Sequence, residues 1–235
     1  PFAGAYVVLA GVALLAMVLM AFVRFPPHVA VASGQDGGRP LSVIMRQPVF
    51  IVACASAALG YGVMNLLMAA TPLAMQQCGL PFGDTALVLE WHVIGMFATG
   101  FFTGHLIARF GVEKIIATGL VILMGAGMVA LSGVAIPNFF GALILLGIGW
   151  NFGFIGATTM LSSAHAPHER GVVQGMNDMI VFGMVTVASL ASGGLMKCSG
   201  GTAVEGWDAV NLAMIPFLIL AAGALIWLRK IEKSA

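Results

Sequence analysis

Two pairs of soft side chains occur at a spacing of four residues in apolar parts of the sequence. Met64 and Met68 form one pair, and His92 and Met96 form the other. Residues four apart share one face of a helix, with their Cβ atoms about 5–6 Å apart. Thioether sulfur and imidazole nitrogen are soft ligands that suit Cu(I) better than they suit hard cations. If the two helices face each other, the pairs predict a buried metal site with four donors.

Ordinary helix packing is the alternative explanation of the same four residues. Methionine is an adaptable side chain that fills irregular gaps between helices. The sequence contains 15 methionines, and Met124 and Met128 form a second pair at the same spacing. We interpret that second pair as packing. Spacing alone therefore leaves both a metal site and a packing role open.

Asp178 and Glu90 are ionisable residues inside apolar segments. Charge is costly in a membrane, so such residues are functional candidates. Asp178 predicts proton coupling or a gate contact, with a hydrogen bond between helices as the alternative. Glu90 either titrates or reaches the membrane interface. Asn151 either lines a cavity between the helices together with these residues or caps a kink in a glycine-rich helix.

The three cysteines do not form a disulfide framework or a zinc-binding spacing. Cys78 and Cys198 fall at the ends of predicted spans on one side, which permits a redox or copper-handling role. Their alternative role is that of small inert residues. The sequence shows no catalytic triad, Walker loop or dinucleotide-binding turn, so we expect no enzyme and no resident cofactor. Its basic residues are few and scattered, which argues against nucleic-acid binding.

The composition indicates a protein of the lipid bilayer. Hydrophobic residues make up 60% of the 235, charged residues make up 8%, and the mean hydropathy is +1.03. A soluble domain has about 25% charged residues. A helical span needs about 20 mainly apolar residues. Seven segments meet this requirement and predict an all-α polytopic membrane protein: residues 2–23, 49–75, 85–108, 114–135, 138–162, 172–196 and 209–228.

The predicted spans divide into one leading helix and a group of six. Residues 1–24 hold the leading helix, and residues 25–47 form a polar loop rich in Pro and Gly. Residues 48–230 hold the six-helix group, and residues 231–235 form a short tail. Because the sequence begins at Pro1 without an initiator Met or signal-peptide features, we expect a piece of a longer protein.

The basic residues predict the orientation in the membrane. Lys and Arg concentrate on the cytoplasmic side of membrane proteins. Nine of the ten basic residues fall at alternate boundaries that share one side, and only Lys197 falls on the other. The nine are Arg24, Arg39, Arg46, Arg109, Lys114, Arg170, Arg229, Lys230 and Lys233. The loop at 25–47 and the C-terminus are therefore predicted to be cytoplasmic.

Two connections resemble signature segments of the major facilitator superfamily. Residues 104–111 read Gly-His-Leu-Ile-Ala-Arg-Phe-Gly, similar to the loop between the eighth and ninth helices, with Ala108 in place of the usual Asp. Residues 166–171 read Ala-Pro-His-Glu-Arg-Gly and resemble the segment that joins the tenth and eleventh helices. The resemblance implies the C-terminal six-helix half of a transporter, preceded by its sixth helix and central loop. A missing N-terminal half of the same protein is the implied partner, and alternating access is the implied mechanism.

Within that superfamily, the seventh and eighth helices line the transport cavity. Here they carry the Met-x-x-x-Met and His-x-x-x-Met pairs, which are similar to the motif pair of CcoA-like bacterial copper importers. The resemblance implies that Met64, Met68, His92 and Met96 bind copper. It also implies that the substrate is copper, delivered across the bacterial inner membrane for assembly of a haem–copper oxidase.

Two alternatives to copper import stay open. The first is a proton-coupled carrier of a small organic solute, in which Asp178, Glu90 and Asn151 contact the substrate. The second is a membrane sensor that transports nothing.

Overall fold

The computed structural model describes residues 3–23, 38–198 and 201–234. Within these ranges the chain is helical and has no strand, as the sequence predicts for an all-α membrane protein. The helices are α1 (Ala3–Phe22), α2 (Leu41–Ile44), α3 (Pro48–Gln77), α4 (Phe82–Phe110), α5 (Val112–Leu131), α6 (Ile136–Ser162), α7 (Arg170–Cys198) and α8 (Ala203–Ser234). A single 3₁₀ turn, Pro167–Glu169, precedes α7.

Seven of these helices are long and apolar enough to cross a membrane, which confirms the seven predicted spans. Most of these helices are longer than the apolar segments from which the spans were predicted. At the start of α8, the Glu205 carboxylate accepts from the main-chain N–H of Thr202 (3.1 Å), and the Thr202 hydroxyl accepts from the N–H of Glu205 (3.3 Å). Such a capping box satisfies the free N–H groups of a first turn. The helix therefore begins in polar sequence, where hydropathy alone places no span.

Contacts within the chain divide it into two units, residues 1–37 and 38–235. The described part of the first unit is α1, a single apolar helix. Residues 25–37 of the predicted loop lie outside the described residues. The rest of that loop includes α2, which the sequence did not predict.

In the second unit, α3 is the central helix and packs against α6, α7 and α8. Helix α6 packs against α4 and α5 as well. Small residues permit the close approach of α5 to α6, since a β-carbon added at Gly119 would lie 2.7 Å from the main-chain nitrogen of Gly153. Helices α4 and α7 are less buried than α3 and α6. They therefore present long open faces to their surroundings.

The connection between α4 and α5 is a single residue, Gly111. Its φ of +90° is a backbone conformation that favours glycine. This geometry explains the glycine that ends the signature-like segment at 104–111.

Candidate functional site

His92 is fully buried between α4 and α6. Its Nδ1 lies 2.7 Å from the main-chain oxygen of Leu143. Because a carbonyl oxygen only accepts, Nδ1 carries the proton and donates it. In the neutral ring Nε2 is then a free acceptor, and it has no hydrogen-bond partner among the described residues. This arrangement fixes α4 to α6 and leaves one nitrogen lone pair unused.

Asn151 makes a second link between the same two helices, one turn further along. Its side-chain amide donates to the main-chain oxygen of Met96 (2.7 Å). Its oxygen accepts from the Thr103 hydroxyl (2.6 Å). Asn151 is therefore buried and links α6 to α4 through both ends of its side-chain amide.

The methionine pair on α3 lies in a different packing environment. Met64 is 3% exposed and belongs to the main core, whereas Met68 is half-buried at its edge. Helix α3 makes little contact with α4, because α4 packs chiefly against α6. Convergence of Met64, Met68, His92 and Met96 on one ion therefore stays a prediction.

Asp178 and Glu90 both lie on open helix faces. Asp178 is exposed on α7, and its carboxylate accepts from the side-chain amide of its buried neighbour Asn177 (3.3 Å). Glu90 is exposed on α4 and lines a shallow groove that also contains Pro72 of α3. The coupling and gating roles of these carboxylates stay predictions.

Cys78 follows the last residue of α3 and is half-buried. Burial raises the pKa of its thiol, which disfavours the reactive thiolate. Cys198 ends α7, but its side chain lies outside the described residues. A redox role for the pair is therefore a prediction.

The described residues contain no group of three or more His, Cys, Asp or Glu placed to hold a metal.

Four aromatic side chains from three helices form a cluster that the sequence analysis missed. We call Tyr61 of α3, Trp150 and Phe154 of α6, and Phe182 of α7 the aromatic cluster. The rings of Trp150 and Phe154 are stacked, 5.0 Å apart with a 10° interplanar angle. Tyr61 meets both edge-on, at 5.2 and 5.3 Å. The spacing of Trp150 and Phe154, four apart on one helix face, was the signal available in the sequence.

Arg39 and Glu169 form the most extensive polar contact of the described bundle. The Glu169 carboxylate accepts from the Arg39 main-chain N–H (2.8 Å), from Nε (3.0 Å) and from a terminal guanidinium nitrogen (2.8 Å). It also accepts from the main-chain N–H of Ala166 (2.8 Å). This contact ties the segment before α2 to the connection between α6 and α7. From the sequence, Arg39 contributes only to the predicted orientation in the membrane.

Comparison with known proteins identifies the family. The family model described as Major Facilitator Superfamily matches residues 1–180 and, in a second overlapping register, residues 55–235. The chain belongs to the major facilitator superfamily. With its seven long apolar helices, it is a multi-pass membrane protein. The superfamily that the two signature-like connections indicate is therefore confirmed, and the assignment to its C-terminal half stays a prediction.

Among characterised relatives, the chain is 44% identical over 230 residues to the riboflavin transporter RfnT of Brucella anthropi, covering 96% of this chain and 55% of that protein. It is 28% identical over 176 residues to YddS of Bacillus subtilis, an uncharacterized transporter of the superfamily (74% of this chain, 39% of that protein). YdeG of the same bacterium, also uncharacterized, is 29% identical over 171 residues (71% and 38%). The chain thus spans about half the length of the Brucella transporter, and its matches cover less than half of the two Bacillus proteins.

Proposed function

We propose that the full-length protein is a carrier of a small organic solute, and that a flavin is the first substrate to test. The observation that carries this proposal is the 44% identity to a riboflavin transporter over 96% of the chain. This supports the organic-solute alternative of the sequence analysis over copper import. Orientation with a cytoplasmic C-terminus in the bacterial inner membrane belongs to the same proposal, and the distribution of basic residues supports it.

The packing of the described helices is compatible with a rigid half of an alternating-access carrier. Helices α4 and α6 are joined through His92 and Asn151, which suits movement as one body. Helices α4 and α7 keep open faces that carry Glu90 and Asp178. In a carrier of two halves rocking about a central site, such faces meet the substrate path or the other half.

Copper import is the second candidate, and one observation favours it. Metal-binding histidines usually donate one ring N–H to a backbone carbonyl or carboxylate and ligate through the other nitrogen. His92 has this arrangement, with Nδ1 on the Leu143 oxygen and Nε2 free among the described residues. In this alternative Met64, Met68 and Met96 supply the remaining donors, and copper is the transported substrate.

Uptake by cells that produce the full-length protein distinguishes the two candidates. Accumulation of radiolabelled riboflavin and of radioactive copper is measured in parallel, in a host that lacks its own uptake system for each. We expect riboflavin accumulation above the empty-vector level and no change in copper. Copper accumulation that is lost in a Met64→Leu variant would establish the second candidate instead, because leucine keeps the volume but removes the sulfur.

A further inference from the structure

The aromatic cluster runs from the core of the bundle to an open helix face. Trp150 is 8% exposed, Tyr61 is half-buried and Phe182 is 57% exposed. The ring centroids of Tyr61 and Phe182 lie 6.3 Å apart at a tilted angle of 57°. The cluster thus offers one accessible aromatic surface that is backed by stacked and edge-on rings.

Resting on the proposed organic-solute function, we propose that the Tyr61–Phe182 surface binds the planar aromatic ring system of the transported solute. Aromatic side chains prefer offset-stacked or edge-to-face contacts with other rings, at centroid distances of about 4.5–7 Å. A planar heterocycle stacked on Phe182 extends the pattern of contacts that the cluster already contains. The substrate class is therefore a fused aromatic heterocycle that carries polar substituents.

Trp150 provides the second observation that indicates a ligand. Its indole N–H is buried and has no acceptor among the described residues. Buried tryptophan N–H groups usually find an acceptor, so a donor without one is an exception that needs a cause. Ring nitrogens and carbonyl oxygens of a heterocycle are acceptors of the required kind. The N–H is covered in this conformation, so it would meet such a group only after the helices of this half shift.

Asp178 lies one helical turn before Phe182 on α7, at the spacing that places two side chains on one face. It is exposed, as Phe182 is. Its carboxylate can accept hydrogen bonds from an imide N–H or from hydroxyl groups of a solute whose ring stacks on Phe182. A carboxylate on that face also argues against contact of the face with lipid tails, since charge in hydrocarbon is costly. Substrate contact by Asp178 is the role that the organic-solute alternative gives to this residue, beside the coupling or gating role predicted from its place in an apolar segment.

The test uses the full-length protein in cells, with riboflavin as the probe and with KM and maximal rate measured separately. Phe182→Leu removes the aromatic face and keeps an apolar side chain, so we expect KM to rise by about fivefold or more. Phe182→Trp restores an aromatic face and should return KM close to the wild-type value. Phe22→Leu is the matched control, because Phe22 is an exposed phenylalanine on α1, a helix that carries neither the cluster nor Glu90 or Asp178. Membrane levels of all variants are compared by immunoblot.

A competition experiment identifies the part of the substrate that the cluster recognises. An isoalloxazine without the sugar-alcohol chain should inhibit riboflavin uptake by the wild type and should inhibit uptake by the Phe182→Leu variant less.

Unchanged KM in Phe182→Leu, with riboflavin transported normally, would overturn the inference and leave the proposed function intact. An absence of riboflavin uptake in the wild type would instead refute the proposed function for this substrate. In that case, uptake of other fused heterocycles with the same dependence on Phe182 would sustain the inference, and uptake of none would overturn it too.

Discussion

The side-chain amide of Asn151 donates to the main-chain oxygen of Met96 over 2.7 Å and so joins α6 to α4 inside the bundle. One turn earlier on α4, His92 donates to the main-chain oxygen of Leu143 on α6, so the second bond crosses the interface in the opposite direction. Gly147 lies between these two links, where a β-carbon would come within 2.5 Å of the His92 oxygen. His92 of α4 and Asn151 of α6 thus stabilise a close contact between the two helices, which supports the packing alternative for His92.

Replacement of Asn151 by leucine should weaken the α4–α6 contact. The substitution removes the bonds to Met96 and Thr103, and hydrogen bonds between membrane helices contribute about 0.6–2 kcal/mol each. We expect the free energy of unfolding to fall by about 1–3 kcal/mol on this basis. Thermal unfolding of the purified full-length protein in detergent measures the change. Thr186→Ala is the control, since the exposed Thr186 hydroxyl bonds only to the Phe182 carbonyl of its own helix; equal losses in both variants would contradict the account.

A methyl group at position 147 should separate α4 from α6. The nearest atoms to a β-carbon on Gly147 are main-chain atoms of His92 and Met96, at 2.5 and 3.0 Å, and they cannot move aside as a side-chain end can. Overpacking of this kind costs about 1–3 kcal/mol. We therefore expect Gly147→Ala to lower the melting temperature in detergent.

Gly153 supplies the matched control on the same helix, because a β-carbon there has no neighbour within 4 Å. Alanine is also the better helix former. Gly153→Ala should leave the melting temperature unchanged or raise it slightly. A Gly147→Ala protein as stable as the Gly153→Ala protein would show that the close contact is absent.

The contact between Arg39 and Glu169 should depend on the fork shape of the guanidinium group. Lysine keeps the charge of Arg39 but cannot donate two parallel hydrogen bonds to one carboxylate. We expect Arg39→Lys to lower thermal stability and Glu169→Gln to lower it further, because the glutamine also loses its charge. Limited proteolysis of the segment before α2 checks the same contact: both variants should be cut faster than wild type, and equal cutting rates would contradict the proposed tie.

The methionine and histidine pairs give a prediction that separates flavin from copper transport. Met64→Leu keeps the buried volume of α3 and removes a soft ligand. If the solute is a flavin, riboflavin uptake by this variant should stay within about twofold of wild type, since a volume-conserving swap perturbs packing little. Loss of riboflavin uptake at normal membrane levels would place Met64 in the transport path and contradict the packing role.

Hydropathy and the scarcity of charge were enough to predict the seven spans. The two connections at residues 104–111 and 166–171 were enough to indicate the superfamily. The span prediction works because the bilayer requires every crossing segment to be a long apolar helix. The ends of the helices were less predictable. Hydropathy ignores hydrogen bonds such as the capping box at Thr202 and Glu205, which begins α8 in polar sequence.

The site could not be predicted to the same degree, because spacing reports which residues share a helix face but not which helix that face meets. Met64 and His92 belong to the two paired motifs, yet α4 packs chiefly against α6, and α3 packs against α6, α7 and α8 with little contact to α4. The aromatic cluster combines side chains from three separate helices, so only the spacing of Trp150 and Phe154 on α6 is visible in the sequence. The Arg39–Glu169 contact joins residues 130 positions apart, and neither residue alone predicts the other.

Riboflavin uptake by the full-length protein tests the central claim most directly. Cells that cannot make or import riboflavin are supplied with the gene for the full-length protein, and their accumulation of labelled riboflavin is compared with that of empty-vector cells. The account predicts saturable uptake that excess unlabelled riboflavin abolishes. Accumulation equal to the empty-vector level, with the protein present in the membrane, would contradict it.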